Sequence, residues 1–406
     1  MKKILILGTG AQGTTVAKLL DKDTNVGELI LADVDAKAVE SLAGQLTKAK
    51  GVIVNAGSVD SIVEVAEGVD LIINALPMAF GQNVLEAALK VKTNYQDFAP
   101  PTTICEEYSD GMEILYNDYG RRFREIGKLA VLGTGSAPGV TTVAARIAVE
   151  PLDTCDTILT FVWEGTEVAR FQPFWWSPVG ALDDMCTVLY NYVDGELIDA
   201  EPFGDPVYRQ YSYMPEKIRF VDHDHEEQIF IAFNADTHFK GCRNSRFKYG
   251  GVGIEFAEPL YRAGLLSKES EIINGKEVIP YDVILAHIPP APKYPEEIKA
   301  MIDEGVVCDN GCIVVEAYGK KNGVDTLVEV HVSAMGLVEA YEKMQLTAEM
   351  AVTGQGGFTY ARMFAADKFE QTGLITTDML SYSEIETFKE YAKDVSITFD
   401  VIEKTL

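Results

Sequence analysis

The sequence predicts an α/β domain with a doubly wound parallel sheet, followed by an α+β domain whose sheet is mostly antiparallel. Up to Val149, short apolar runs alternate with helix-like segments, which is typical of a parallel sheet covered by helices. From Pro151 the apolar runs become longer and richer in aromatic residues, and long loops separate them, as in antiparallel sheets. The chain has 406 residues, which is too long for one ordinary core. We expect a first domain over residues 1–138, a second over 139–345, and a C-terminal segment, 346–406, that returns to the first.

The first residues of the chain form a strand, a glycine turn, a helix and a second strand. In order, these are Lys3–Leu7, Gly8–Gly13, Thr14–Leu20 and Leu29–Ala32. The turn reads Gly-Thr-Gly-Ala-Gln-Gly, and Asp33 ends the second strand. A glycine turn of this kind is weak evidence alone, but here its strand, helix and acid all stand at the expected distances.

Each glycine of the turn has a physical role in binding a dinucleotide. Gly8 permits the tight turn, Gly10 lets the backbone approach a pyrophosphate, and Gly13 allows close packing of helix on strand. The N–H groups that begin the helix, at Ala11 and Gln12, then face the phosphates.

Asp33 is placed to accept hydrogen bonds from both ribose hydroxyls of the adenosine and to repel a 2′-phosphate. The sequence therefore predicts a Rossmann domain that binds NAD rather than NADP. The alternative is a structural turn without a ligand.

The alternation continues to the end of the first domain. Helices are predicted at Ala36–Leu46, Val59–Glu67, Phe80–Val91, Glu106–Ile126 and Val140–Val149, and strands at Gly51–Val54, Val69–Asn74, Thr93–Ala99 and Lys128–Leu132.

Two strand ends carry candidate site residues, because ligands bind at the carboxyl ends of the strands in such sheets. Ala75, Leu76 and Pro77 are expected along the nicotinamide half of the cofactor, although a proline that simply ends the strand has the same pattern. Tyr95 and Asp97 end the next strand, and Asp97 can orient an amine or take a proton. The alternative for Asp97 is a surface aspartate that caps the following element.

The second half of the chain is predicted mainly as strands. These include Thr157–Trp163, Gln228–Phe233, Leu327–Val332 and a last strand at Val395–Val401. The aromatic segment Phe171–Trp176 is more typical of a core or an oligomer contact than of a substrate wall. Gly354–Gly357 is expected to precede a helix that begins at Phe358.

Composition excludes several classes of function. The net charge of −27 and the lack of a basic run argue against a nucleic-acid surface. No stretch reaches the roughly 18 apolar residues that a membrane helix needs. The six cysteines are scattered, as is usual for reduced thiols, and we expect a cytoplasmic protein.

Two sets of residues are weak candidates for metal ligands. Cys308 and Cys312 stand alone and lack CxxC spacing. His223 and His225 would share one face of a strand, but a solvated polar turn is the favoured interpretation. We therefore expect no metal site.

Taken together, these motifs resemble the saccharopine dehydrogenase family, and within it lysine 6-dehydrogenase more closely than saccharopine reductase. The matching motifs are Gly8–Gly13 with Asp33, Asn74–Pro77, Tyr95–Asp97, Ser136–Gly139, and Trp175–Gly180 with Asp194-Gly195 downstream. Departures fall at Arg246–Gly251, which lacks the family's proline and histidine, and at Gly354–Gly357. The resemblance covers nearly the whole chain.

The resemblance implies an NAD-dependent dehydrogenase that oxidises the side-chain amine of lysine or a similar amino acid. Three alternatives stay open. They are an imine reductase of the saccharopine or carboxynorspermidine kind, a transferase that retains NAD as homospermidine synthases do, and an inactive NAD-binding protein.

The resemblance also implies roles for single residues. Asp97 would hold the amino group, and Tyr95 and Trp176 would contact the substrate. Arg246 and Arg243, then Arg170, are the candidate partners of a substrate carboxylate, with an ordinary surface salt bridge as the alternative for each. A homo-oligomer, a dimer or larger, is expected by analogy with the family.

Overall fold

The computed structural model describes residues 1–105 and 107–406 and divides into two compact units. The first unit comprises Met1–Val143 and Val352–Thr398, and the second comprises Ala144–Ala351 and Phe399–Leu406. The chain thus returns to the first unit at Val352, and its last residues, from Phe399 onward, belong to the second unit.

The strands in chain order are β1 Lys2–Leu7, β2 Val26–Asp33, β3 Ala49–Ile53, β4 Leu71–Asn74, β5 Asn94–Asp97, β6 Leu129–Leu132, β7 Thr154–Glu164, β8 Glu167–Val168, β9 Leu189–Val193, β10 Glu196–Ala200, β11 Val207–Arg209, β12 Ile218–Asp222, β13 Asn244–Gly251, β14 Glu271–Ile273, β15 Lys276–Val278, β16 Val306–Cys308, β17 Gly311–Lys321, β18 Val324–Ser333, β19 Gly373–Thr376 and β20 Thr398–Thr405.

The α-helices are α1 Ala11–Leu20, α2 Ala36–Ala43, α3 Val59–Ala66, α4 Gly81–Val91, α5 Tyr108–Ile114, α6 Gly120–Glu125, α7 Thr141–Val149, α8 Pro178–Asp184, α9 Glu227–His238, α10 Val252–Arg262, α11 Pro280–Leu285, α12 Pro295–Glu304, α13 Leu337–Met344, α14 Ala348–Ala365 and α15 Tyr382–Lys393. Glu106, at the start of the helix predicted over residues 106–126, lies outside the described residues.

In the described part of the first unit, seven parallel strands form one sheet in the order β19-β6-β5-β4-β1-β2-β3. The inner strands are apolar along their length because helices cover both faces of such a sheet. Ile4 to Leu7 of β1, for example, are all 0% exposed. The glycine turn therefore follows a strand that is fixed in the core.

The described part of the second unit contains a nine-stranded sheet whose main path is β10-β9-β13-β7-β17-β18-β20; β12 pairs with β13, and β11 pairs with β12. β7 and β13 are parallel, and β17 pairs antiparallel with both β7 and β18. The predicted fold class, a parallel α/β domain plus a mostly antiparallel second domain, is confirmed.

Three predicted elements differ from the structure. Gln228–Phe233, predicted as a strand, is wrong, because these residues lie in α9. Its first turns are buried on all sides, so the apolar run has no polar face from which helical periodicity can be read. Gly354–Gly357 lies inside α14 instead of preceding it, and the last strand begins at Thr398.

Within the described residues, no helix is long and apolar enough to cross a membrane. All six cysteines belong to the described part of the chain, and all are free thiols.

Candidate active site

The glycine turn after β1 has the geometry that a dinucleotide requires. Gly8 has φ of +95°, and a Cβ there would lie 2.6 Å from the carbonyl oxygen of Ala75. A Cβ on Gly13 would lie 1.9 Å from the carbonyl oxygen of Gly8. At Gly10, by contrast, a Cβ would meet no described atom within 4 Å. Gly8 and Gly13 thus build the turn, while Gly10 faces open space.

The start of α1 is free to receive an anion. Its N-cap is Gly10, and no described side chain caps the helix. The side-chain Oε1 of Gln12 is buried without a hydrogen-bond partner among the described residues. The backbone of Ala11 to Gly13 therefore lies at the positive end of the helix with space before it, which fits a pyrophosphate.

Asp33 ends β2 beside this turn. Its Oδ2 accepts hydrogen bonds from the N–H and hydroxyl of Thr9, at 2.7 Å and 2.9 Å, and its Oδ1 accepts from the Val34 N–H at 2.7 Å. Burial raises the pKa of the Asp33 carboxyl, but the bonds from Thr9 and from the backbone outweigh burial and hold the pKa below its usual value. Asp33 is therefore ionised, as an acceptor of ribose hydroxyls must be.

The end of β4 lies against the glycine turn. The Ala75 N–H donates to the Leu7 carbonyl at 2.8 Å, and the side chain of Leu76 lies beside Gly8. Pro77 follows directly and precedes a short 3₁₀ turn. The structure thus brings together the residues that the sequence predicts for cofactor binding.

Asp97 lies in the interior, with 1% of its surface exposed. Its Oδ1 accepts from the Gly133 N–H at 2.8 Å, and its Oδ2 accepts from the Tyr95 hydroxyl at 3.0 Å. The amide of Asn74 donates to the same hydroxyl at 3.1 Å. Asp97 therefore links the ends of β4, β5 and β6, and both of its oxygens already accept hydrogen bonds.

Tyr95 is 0% exposed, and burial raises the pKa of its hydroxyl well above the usual value. Its ring is enclosed by the first unit, and its hydroxyl has two protein partners. The predicted contact between Tyr95 and substrate therefore has no support in the structure.

Trp176, in the second unit, lies beside an acid that the sequence analysis missed. The indole of Trp176 and the hydroxyl of Tyr249 lie near the carboxyl of Glu164, the last residue of β7. Burial raises the pKa of Glu164, although these two polar groups oppose the rise. Glu349, in the first turn of α14, has a raised pKa because of burial and the charge of the nearby Glu164.

The segment after β12 is a second acidic cluster, centred on His225. The Nδ1 of His225 lies 2.5 Å from Glu227 and 3.1 Å from Glu226, and its ring stacks on Phe247. Burial lowers the pKa of His225, but the adjacent carboxylates outweigh burial and raise it to about 10. Burial raises the pKa of Asp224 to about 7.

The interpretation of this segment as a solvated turn is wrong, because His223 is only 4% exposed and packs edge-on against Tyr249. Burial lowers the pKa of His223 to about 3. Burial also raises the pKa of Asp184, which lies nearby, to about 7. The cluster therefore contains more acids than His225 can neutralise.

The three arginines predicted to bind a substrate carboxylate have protein partners. Arg246 lies 2.7 Å from Asp222, Arg170 pairs with Glu304, and Arg243 donates to the carbonyl of Asp194. Because side chains alternate along β13, Arg246 is on the face opposite Phe247 and Tyr249. None of the three joins the Glu164 or His225 clusters in the described part of the chain.

Residues 4–126 match the family model described as the saccharopine dehydrogenase NADP binding domain. The match places the sequence features of that domain in the first unit. Over 93% of its length, the chain is 26% identical to carboxynorspermidine synthase of Vibrio alginolyticus, of which 92% is covered.

Two solved structures share the fold. Saccharopine dehydrogenase (L-Glu forming) from Saccharomyces cerevisiae matches with a TM-score of 0.70 and 13% identity over 100% of both chains. Homospermidine synthase from Legionella pneumophila, solved in complex with NAD, matches with a TM-score of 0.63 and 10% identity over 100% of this chain and 91% of that one. The prediction of an oxidoreductase of this family with a nicotinamide cofactor is confirmed, while NAD rather than NADP stays a prediction.

The residues that sequence reasoning missed come from distant parts of the chain. Glu164 ends a strand, as Asp97 does, and that position was the available signal. Glu349 and Tyr249 carry no local motif, and only the fold brings them to Glu164.

Proposed function

We propose that this protein is an NAD-dependent oxidoreductase that forms or cleaves a secondary amine of a di- or polyamine through an imine. The observation that carries the proposal is the excess of acidic side chains in the second unit, at Glu164 with Glu349 and around His225. Amines are cations at neutral pH, so carboxylates without basic partners complement them. The likeness to carboxynorspermidine synthase supports the same substrate class.

The reaction balances with one cofactor and two substrates. An amine and an aldehyde condense with loss of water to an imine; addition of a hydride to the imine carbon and a proton to its nitrogen gives the secondary amine. When bound, the reduced nicotinamide supplies that hydride. The chain's own residues would bind and orient the cofactor: the backbone at Gly10 and Ala11 would hold the pyrophosphate, and Asp33 would hold the adenosine ribose.

Lysine, the substrate favoured by the motif resemblance, fits this site less well. Its α-carboxylate needs a basic partner, and the three candidate arginines are engaged elsewhere. A diamine lacks that carboxylate and carries more positive charge. We therefore favour the coupling of an amine to an aldehyde over the oxidation of lysine as the function of this protein.

The test is the loss of NADH absorbance at about 340 nm with pairs of diamines and aldehydes. We expect consumption only when amine and aldehyde are both present. A matched control is Gly10→Ala, whose Cβ meets no described atom within 4 Å and so should not disturb folding. That Cβ would occupy the space before the helix, so the variant should keep its melting temperature and lose cofactor binding.

Formation of NADH from NAD and lysine alone would contradict the proposal and restore the lysine reaction. Exchange of amine groups without any net change in NADH would contradict it in favour of a transferase with retained NAD.

A further inference from the structure

The last strand of the chain, β20, is an exposed edge of the sheet in the second unit. It pairs with β18 on one side, and in the described part of this unit no strand lies on its other side. The residues from Asp400 to Thr405 are exposed on both faces of the strand. Val401 and Ile402, at its centre, are apolar and have 46% and 43% of their surfaces exposed. Such an edge presents a row of N–H and C=O groups with which another strand can pair.

β20 lacks the features that usually protect an edge strand, which are short length, proline and charges of one sign. It has eight residues and no proline, and it carries both signs of charge, at Asp400, Glu403 and Lys404. The opposite edge of the same sheet, β10, has five residues, and both of its charged residues, Glu196 and Asp199, are acidic. In a chain with a net charge of −27, copies repel each other over most of their surface. β20 is an edge at which opposite charges from two copies can meet.

One hydrogen bond fixes which backbone groups of β20 face outward. The N–H of Leu406, directly after the strand, donates to the carbonyl of Asp325 near the start of β18, at 3.0 Å. The end of β20 therefore lies at the start of β18, so the two strands are antiparallel. Successive residues of a strand direct their N–H and C=O groups to opposite sides. Counting back from Leu406, the backbone groups of Ile402 face β18, whereas those of Val401 and Glu403 face outward.

The sequence of β20 selects one register for pairing with a second copy. Two copies related by a two-fold axis pair antiparallel, and their outward-facing residues lie opposite each other, so each register is centred on one residue. A centre at Asp400 or at Glu403 places like charges opposite each other, and a centre at Val401 forms no pair of opposite charges. A centre at Ile402 places the two isoleucines together and, on the same face, places Asp400 of each copy opposite Lys404 of the other.

The charges of β20 within one chain permit this pairing. Glu403 pairs with Lys321 and Lys404 pairs with Glu329, each at 2.5 Å. Asp400 forms no ion pair with any described residue. The Lys404 side chain is 49% exposed, and its ammonium group has three N–H donors, so it can bind Glu329 and a second carboxylate together. Asp400 of a second copy supplies that carboxylate.

We propose that two copies of this chain associate through their β20 strands, which pair antiparallel about Ile402 and join the two sheets into one. Backbone hydrogen bonds between Val401 and Glu403 hold the strands together, and the two pairs of Asp400 with Lys404 set the register. The pairing uses no residue of the glycine turn or of the acidic clusters, so it is independent of the proposed reaction.

The test is sedimentation velocity at protein concentrations up to about 0.1 mM. For the wild type we expect a species with twice the 44.6 kDa mass of one chain. Asp400→Lys and Lys404→Asp should each raise the dissociation constant of the dimer at least about tenfold, because like charges then lie opposite each other. An equal mixture of the two variants should regain the dimer, since one carries only bases and the other only acids at these two positions. Asp199→Lys, the same change of charge on β10, should associate like the wild type.

Two further substitutions test the direction of the backbone and the register. Val401→Pro removes an outward N–H and leaves the pairing with β18 intact, so it should abolish the dimer and keep the melting temperature. Ile402→Cys should form a disulfide-linked dimer on oxidation, visible on a non-reducing gel. Val401→Cys should not, because Val401 lies opposite Glu403 and the two introduced thiols are too far apart.

A wild type that stays monomeric at every concentration would overturn the proposal. A dimer whose dissociation constant is the same in Asp400→Lys, Lys404→Asp and Val401→Pro would overturn it as well, because the copies would then associate through another surface. The register about Ile402 fails if the mixture of charge variants does not regain the dimer, or if Val401→Cys forms the disulfide and Ile402→Cys does not.

Discussion

Asp33 connects the glycine turn with the choice of cofactor. It fixes Thr9 through two hydrogen bonds and remains ionised. In Asp33→Ala we expect NADH to bind about tenfold more weakly, because bonds to a charged group contribute about 1.5–3 kcal/mol. NADPH should lose less affinity, since the repulsion of its 2′-phosphate disappears.

Fluorescence titration with NADH and NADPH measures both affinities. Asp60→Ala is the control, because Asp60 is an exposed acid of the same unit that pairs only with Lys90 among the described residues. An unchanged ratio of the two affinities would remove Asp33 from cofactor selection.

A substitution of Asp97 distinguishes a structural role of this residue from a catalytic one. Its two oxygens accept from Gly133 and Tyr95, so Asp97→Asn turns a donor toward one of these donors. We expect the free energy of unfolding to fall by about 1–3 kcal/mol. Denaturant unfolding measures this loss, and Asp60→Asn is the exposed control. A large fall in kcat with unchanged stability would instead support the role in handling the amine that the sequence predicts.

The cofactor residues could be predicted because their signal is local. Gly8, Gly10 and Gly13 fall within one turn, and the acid follows at a fixed distance. The arginines could not be resolved, because nothing in the sequence reveals that Arg246 faces Asp222. Burial of Tyr95 is likewise a property of the sheet, since its neighbours on β4 and β6 come from other parts of the chain.

Among the elements, α14 shows how packing overrides propensity. Glycine inside a helix normally weakens it by about 0.5–1 kcal/mol relative to alanine. Here a Cβ on Gly356 would lie 2.4 Å from the carbonyl oxygen of Gly135, and one on Gly357 would lie 2.5 Å from the ring of Phe98. The glycines therefore permit a close approach, which explains why they lie inside the helix and not before it.

Gly356→Ala tests this close approach. The clash is with backbone, which cannot move as a side chain can, so we expect a loss of about 1–3 kcal/mol despite the better helix propensity. Gly120→Ala is the control, because its Cβ would meet the Arg124 side chain at an ordinary 3.4 Å. Thermal unfolding of both variants measures the difference. Equal stability in the two would show that α14 does not need this glycine.

The prediction of a strand where the structure has α9 was wrong because packing buries the whole apolar run. Ile229, Phe230 and Ile231 are all buried, so the run has neither a helical stripe nor strand alternation. Leu327–Val332, whose flanking turn residues bound it, was predicted correctly as part of β18. Short apolar runs are therefore assigned reliably only where neighbouring residues set their limits.

At the scale of the whole molecule, the acidic second unit should make stability depend on pH. Asp184 and Asp224 have pKa values raised to about 7 by burial, and Glu164 and Glu349 are raised as well. The folded protein thus binds more protons than the unfolded chain, whose carboxyls titrate near about pH 4. Stability must fall as pH rises through this range, by about 1.4 kcal/mol per pH unit for each extra proton held.

The histidines determine where this trend is clearest. Despite burial, the pKa of His225 is raised to about 10 by the adjacent carboxylates. The stability that His225 contributes is therefore complete below the pKa of an unfolded histidine and is lost as the pH rises toward 10. Burial lowers the pKa of His223 to about 3 and the pKa of His238 to about 4. These two histidines oppose the trend only below about pH 6.5, where they take up protons in the unfolded chain but not in the folded protein. Above about pH 6.5 the raised pKa values of these acids and of His225 all make stability fall as the pH rises.

We therefore expect the melting temperature to fall between about pH 6.5 and pH 8, by about 2–4 °C for each kcal/mol lost. Differential scanning calorimetry across this range measures the fall. In Asp184→Asn the dependence should be shallower because one raised carboxyl is gone, whereas Asp199→Asn, an exposed change on β10, should leave it as in the wild type. Saturating putrescine should also flatten the profile at the alkaline end, because a bound cation stabilises the ionised carboxylates that otherwise oppose folding. A melting temperature that rises with pH across this window would show that the acidic clusters are neutralised within the protein, and the assignment of amine-binding sites to them would fail.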